Sequence, residues 1–175
     1  NLRINCWVLF YGNYKTLSDN SLRKTIIFNP PKNKFWADPF LINDNDKKFI
    51  FFEEYCYEKE KGEIKCGEIL DKKLINIKTI LSGTYHLSYP CVNKINGIYY
   101  LIPECSESNE LNIYKSIKFP YYWEKHIRLF HNKKLADPTL FQDKNNQIWL
   151  FVNTLNKENN YNSQLNIYKI EDNFL

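Results

Sequence analysis

Three segments of the chain repeat one pattern at a period near fifty: FWADPFLINDNDKKFIFFEE (35–54), HLSYPCVNKINGIYYLIPE (86–104) and KLADPTLFQDKNNQIWLFVNT (134–154). Each has a Pro before an apolar pair, then a polar turn, then a run of aromatic and β-branched residues. The prolines Pro39, Pro90 and Pro138 are 51 and 48 residues apart, and Phe49, Tyr99 and Trp149 are 50 and 50 apart. A period of this size with hairpin content predicts a β-propeller, one blade per repeat. In that architecture the first strands of all blades line one axis, so residues far apart in sequence can share one pocket.

Within the repeats, strands are expected at 38–43, 48–55, 63–69 and 74–81, then at 88–94, 98–104, 110–116 and 125–130, and finally at 137–142, 147–153 and 164–170. Asn96-Gly97 is a hairpin signal, and ELNIY at 110–114 echoes QLNIY at 164–168 as third strands. No segment of useful length has helical periodicity, so the fold class is all-β. Before the repeats, Arg3 to Tyr11 reads as an apolar strand, and 12–34 as a polar arm in which Pro30-Pro31 forbids regular structure. The organisation expected is therefore 1–34, a leading strand and irregular arm, followed by blades at about 35–82, 83–131 and 132–175, the last truncated. About three repeats do not close a ring of four to eight blades, and the chain has no Met. A piece of a larger propeller is expected.

The composition limits function. The net charge of +4 comes from 24 basic residues scattered among 20 acidic ones, which leaves no basic stripe for nucleic acid. The longest apolar runs are far too short to span a bilayer. Five cysteines without CxxC spacing read as buried free thiols of a reducing, cytoplasmic compartment rather than a disulfide or zinc framework. No metal motif, phosphate-cradling loop or Ser-His-Asp arrangement is present, and no cofactor is expected.

Candidate chemistry sits at the strand ends. Asp38, Tyr89 and Asp137 each precede the repeat's Pro, at the start of the strand expected innermost. The second strands end in Glu53-Glu54, Glu104 and, at the equivalent point, Thr154. Glu53 and Glu54 face opposite ways, and the fifty-residue match to Glu104 favours Glu54 as the inward one. Carboxylates in a funnel lined by Trp36, Tyr85, His86 and Tyr89 suit a sugar: aromatic faces stack on the ring, and carboxylates bind hydroxyls or move protons. A structural reading stands beside this one. Asp before Pro caps turns, a lone His is commonly a hydrogen-bonded structural group, and Trp36 and Trp123 suit core packing.

These motifs, with YYLIPE and FPYYWE (119–124), resemble the five-bladed propeller domain at the N-terminus of glucosamine inositolphosphorylceramide transferases. That domain is in turn similar to the furanosidase-type propellers of glycoside hydrolase families 43 and 32. The resemblance covers about residues 35–155 and implies a five-bladed ring, incomplete here at about three blades. It also implies a carbohydrate or glycan partner and a fused transferase domain. In the hydrolases a first-blade Asp acts as base or nucleophile, and Asp38 matches it. A later Asp-Pro tunes the acid, and Asp137 matches it in type. A Glu followed by Cys supplies the acid in family 32, which Glu104-Cys105 resembles, although Glu104 precedes Asp137 whereas the hydrolases' acid follows the second Asp. The expectation is a carbohydrate-recognising domain of a glycan-building or glycan-processing protein, non-catalytic by itself. The alternative is a glycoside hydrolase with Asp38, Glu104 and Asp137 catalytic and Trp36, Glu54, His86 and Tyr89 binding substrate.

Overall fold

The computed structural model describes residues 7–12, 25–154 and 164–171. Among these, thirteen strands form four antiparallel sheets, joined by turns and one short 3-10 segment at Ser106–Ser108. A two-stranded sheet pairs β1 (Leu9–Tyr11) with β2 (Ile26–Phe28). The first blade runs β3 (Lys34–Asp44), β4 (Lys47–Cys56), β5 (Lys61–Leu70) and β6 (Lys73–Leu81). The second runs β7 (Ser88–Ile95), β8 (Ile98–Glu104), β9 (Glu110–Lys118) and β10 (Tyr122–His131). The third holds β11 (Leu135–Gln142), β12 (Ile148–Thr154) and β13 (Gln164–Ile170). Strands follow chain order across each sheet, the meander of a propeller blade.

The tight turns follow from residues that tolerate positive φ. Asn45-Asp46, Asp71-Lys72 and Asn96-Gly97 each have both central residues left-handed, the type I′ geometry whose twist matches two antiparallel strands. The third blade closes its first hairpin through Asp143. Its carboxylate accepts the backbone N–H of Asn145 at 2.8 Å and of Gln147 at 3.0 Å, and the indole N–H of Trp149 at 3.0 Å.

The sheets pack face to face around three apolar layers. Leu9, Phe28, Trp36, Ile50, Phe52 and Ile69 fill the space between the small sheet and the first blade. Phe49, Phe51, Val92, Tyr99 and Leu101 fill the next, with Phe119 and Trp123 packed against them. Cys91, Ile102, Leu111, Leu140, Leu150 and Val152 fill the third. The fully buried Phe51 and Leu101 lie in the middle layer, where truncation of such a side chain to Ala costs about 2–5 kcal/mol. Strand β3 lies against β7, and β7 against β11. The first strands of the three blades are therefore neighbours, the relationship the fifty-residue period predicts.

Two points differ from the sequence reading. Residues Ile26–Phe28, inside the polar arm, form β2, because Ile26 and Phe28 bury one side of an alternating triplet against β1 and the first blade. Of the expected strand Arg3–Tyr11, the ordered pairing covers Leu9–Tyr11; residues 3–6, with Cys6, and residues 13–24 of the arm lie outside the described part. The other four cysteines are free thiols, three of them buried.

Candidate functional site

Each first strand breaks its register immediately before the repeat's Pro. The breaks fall between Ala37 and Phe40, Ser88 and Cys91, and Ala136 and Thr139. The residues in the breaks, Asp38, Tyr89 and Asp137, have φ of 50°, 46° and 52°. A left-handed backbone is uncommon for Asp and an outlier for a ring as large as Tyr. The same strain is thus repeated at one bulge position in three blades, and a bulge re-aims the side chain it carries.

Backbone and side-chain bonds tie these positions across blades. The N–H of Tyr89 donates to Oδ2 of Asp38 at 3.3 Å, and the N–H of Asp137 donates to Oε2 of Glu104 at 3.0 Å. The Tyr89 hydroxyl lies 2.9 Å from Oγ1 of Thr139, while its ring meets Phe40 edge-on with centroids 5.1 Å apart. Tyr89 thus reaches from the first blade to the third.

The second strands complete the cluster, with one correction. In the strand register Ala37 faces Glu53, Ser88 faces Glu104 and Ala136 faces Asn153. The inward residue of the first blade is therefore Glu53, not Glu54, and its third-blade counterpart is Asn153, not Thr154. Glu54 opposes Trp36 on the other face. It accepts the Trp36 indole N–H at 2.9 Å and pairs with Lys34 at 2.8 Å and Lys65 at 3.1 Å, contacts that hold its carboxyl below the ordinary range despite burial. Trp36 itself is buried against Phe52 with centroids 4.9 Å apart. Counting from the repeat's Pro would have found Glu53, since Glu53 and Glu104 each follow theirs by 14 residues.

Glu53 is 4% exposed and shares a hydrogen bond with Asp38. Burial first, then the Asp38 charge and that hydrogen bond, push its carboxyl up to about 8. Burial also raises Asp38 and Glu104, and neighbouring carboxylates add to both. Nε2 of His86 sits 3.3 Å from Oε1 of Glu53 without hydrogen-bond alignment, so that oxygen is buried and unpartnered. The backbone N–H of Gly62 donates to Nδ1 of His86 at 3.1 Å, which leaves the proton of a neutral imidazole on Nε2. Burial holds His86 below its ordinary range. Gly62 is required here: a Cβ would fall 2.5 Å from the Leu87 carbonyl and 2.7 Å from Oε1 of Glu53.

Asp38 and Glu53 open onto a cleft of about 580 Å³, whose wall also carries Trp7, Phe10, Phe35 and Trp36. Trp7 is 62% exposed, and its carbonyl accepts the Trp36 N–H at 3.2 Å. Asp137 lies on the other side of the cluster, with Oδ2 accepting the Asn153 side-chain amide at 3.2 Å. Tyr85 packs against a smaller apolar cluster, separate from the three layers, formed by Ile64, Leu87 and Cys105. Among the described residues, no group of three His, Cys, Asp or Glu side chains could hold a metal ion.

Blades of meandering antiparallel strands, with their first strands as neighbours, define a fold of the β-propeller class. Its fold resembles xylan β-1,4-xylosidase from Bacillus halodurans C-125 (TM-score 0.65, 20% identity, 84% of this chain and 32% of that one). It also resembles α-L-arabinofuranosidase from Lactobacillus brevis (0.64, 11%, 92% and 67%) and a thermostable family-43 glycoside hydrolase (0.65, 13%, 89% and 62%). Residues 25–174 match the family described as glucosamine inositolphosphorylceramide transferase 1, N-terminal, and the chain belongs to it. The transferase of that name from Arabidopsis thaliana is 35% identical over 112 residues, 63% of this chain and 14% of its own length. Its counterpart from Oryza sativa subsp. japonica is 33% identical over 143 residues, 79% and 18%. The chain thus spans less than a fifth of these curated relatives. Among its described residues, no helix is long and apolar enough to cross a membrane.

Proposed function

We propose that the chain is a carbohydrate-recognising propeller domain that binds a glycan without cleaving it. The observation that carries this reading is the placement of Asp38 and Glu53 together at the wall of an aromatic-lined cleft. Burial and the neighbouring Asp38 charge push the Glu53 carboxyl up to about 8. Glu53 therefore keeps its proton, and the lone pairs of Asp38 accept sugar hydroxyls. Trp7 and Phe10 supply apolar faces for the ring.

The reading extends to the whole protein. The relatives are transferases by name and far longer than this chain. We carry that over as a domain that presents a glycan to a transferase module of the same polypeptide. The three blades fit a five-bladed ring.

One observation favours a second reading, glycoside hydrolysis. Glu104 is raised by burial, as a general acid requires, and Asp38 would be its base. A panel of aryl furanosides and pyranosides, together with calorimetric titration of the matching free sugars, separates the two. Saturable binding without aryl release, weakened about tenfold or more in Asp38→Asn, is the expected result. Turnover abolished by both Asp38→Asn and Glu104→Gln would establish the hydrolase instead.

A further inference from the structure

We infer that the cleft accommodates at least two consecutive sugar rings, the second lying on an aromatic shelf formed by Phe35 with Tyr55 behind it. The inference rests on the carbohydrate reading and specifies the length of its ligand.

The register of β3 and β4 builds the shelf. Phe35 opposes Tyr55, and two residues further along Ala37 opposes Glu53. Opposed residues share a face of an antiparallel pair, and so do residues two apart along a strand. Phe35 and Tyr55 are thus the next step on the face that carries Glu53, displaced by about 6.6–6.8 Å along the strands. That displacement is comparable with the ring-to-ring repeat of a glycan chain.

The aromatic rings are arranged to present one flat surface. Phe35 and Tyr55 stack with centroids 4.8 Å apart and planes 8° from parallel. Tyr57 meets both edge-on, at 5.9 Å and 5.6 Å, and so fixes their tilt. His86 bridges shelf and carboxyl, 5.7 Å from the Tyr55 ring and 3.3 Å from Glu53. Phe35 itself lines the cleft with Asp38 and Glu53, and Trp7 and Phe10, both more than half exposed, line it with them. A cavity of about 580 Å³ falls within the range of about 300–1,000 Å³ that takes a ligand of several rings. One ring held by Asp38 would leave Phe35 uncovered.

The test titrates the whole chain with xylose, xylobiose and xylotriose, and with arabinose and its α-1,5-linked di- and trisaccharide. The wild type is expected to gain about tenfold in affinity from mono- to disaccharide, the worth of one good stacking contact. Phe35→Leu should erase that gain while leaving monosaccharide affinity unchanged, and Phe35→Trp should retain it. Should Phe35→Leu fail to fold, nuclear Overhauser contacts between the disaccharide's second ring and the Phe35 ring in the wild type decide the matter. Equal affinity for mono- and disaccharide, a gain that survives Phe35→Leu, or the absence of those contacts overturns the shelf and leaves the carbohydrate reading standing. No binding of any member of either series overturns both.

Discussion

Glu53 and Asp38 lie on adjacent strands of the same blade, and burial together with the Asp38 charge pushes the Glu53 carboxyl up to about 8. A buried acid beside a carboxylate stays protonated well above the pH at which it would ionise in an unfolded chain. Its consequences reach stability as well as binding.

The first concerns pH. Between the ordinary carboxyl range and about 8, the folded chain holds a proton at Glu53 that the unfolded chain has released. Stability therefore falls as pH rises through this window. Asp38 and Glu104 are raised too and act in the same direction. Thermal melts from pH 5 to pH 9 are expected to show a declining Tm, by an amount equivalent to roughly a few kcal/mol. Glu53→Gln, which keeps a neutral side chain at every pH, should flatten most of that decline. A Glu53→Gln profile as steep as the wild type would remove Glu53 as its source.

Glu54 gives the contrasting case. It holds Lys34, Lys65 and the Trp36 indole on the opposite face from the cleft's carboxyl pair. Glu54→Gln is expected to cost roughly 1–3 kcal/mol in a denaturant melt, while sugar affinity stays within twofold. A large loss of affinity at unchanged stability would return Glu54 to the binding site.

Gly62→Ala probes the floor beneath Glu53. The added methyl must displace the Leu87 carbonyl or the Glu53 carboxyl. Overpacking of this kind costs about 1–3 kcal/mol, and the variant should also lose the steep pH profile as the Glu53–Asp38 bond shifts. An unaltered Tm and profile would show that the floor yields freely.

Asp137 separates strain from function. It is exposed and left-handed, so Asp137→Gly relieves backbone strain that Asp137→Ala retains. The glycine variant is expected to be the more stable by about 1 kcal/mol, with sugar affinity lowered in both. Equal stabilities would mean that the bulge imposes no cost.

Much of the blade structure was legible because it follows from period-two burial and turn chemistry. The prolines set the repeat, Asn96-Gly97 announced a hairpin, and the strands fall where the aromatic and β-branched runs do. Although Asp38 lies four residues inside β3 (Lys34–Asp44) and not at its start, the equivalence of Asp38, Tyr89 and Asp137 on their first strands was equally plain. Their conformation was not. A residue before Pro is expected to be extended, and the inter-blade bonds that hold the N–H groups of Tyr89 and Asp137 in the left-handed alternative join residues far apart in sequence. Glu53 was obscured by a one-residue offset: a fifty-residue match points to Glu54, and in a strand one residue is the difference between two faces. The shelf of Phe35 and Tyr55 depends on β3–β4 register, a pairing that no single segment displays. The strand at Ile26–Phe28 was hidden because three residues are too few to show a period.

The repeated left-handed bulge makes the three blade positions equivalent sockets that are linked in series. At two of the three the backbone N–H is held by a carboxylate of the preceding blade, Tyr89 by Asp38 and Asp137 by Glu104, so one occupant anchors the next. An aromatic in one socket and acids in the other two already show two kinds of occupant on the same mounting. Exchanging the acid at Asp38 therefore also releases the backbone of the position beside it, whereas the side chain of Tyr89 can change without removing either of these anchors.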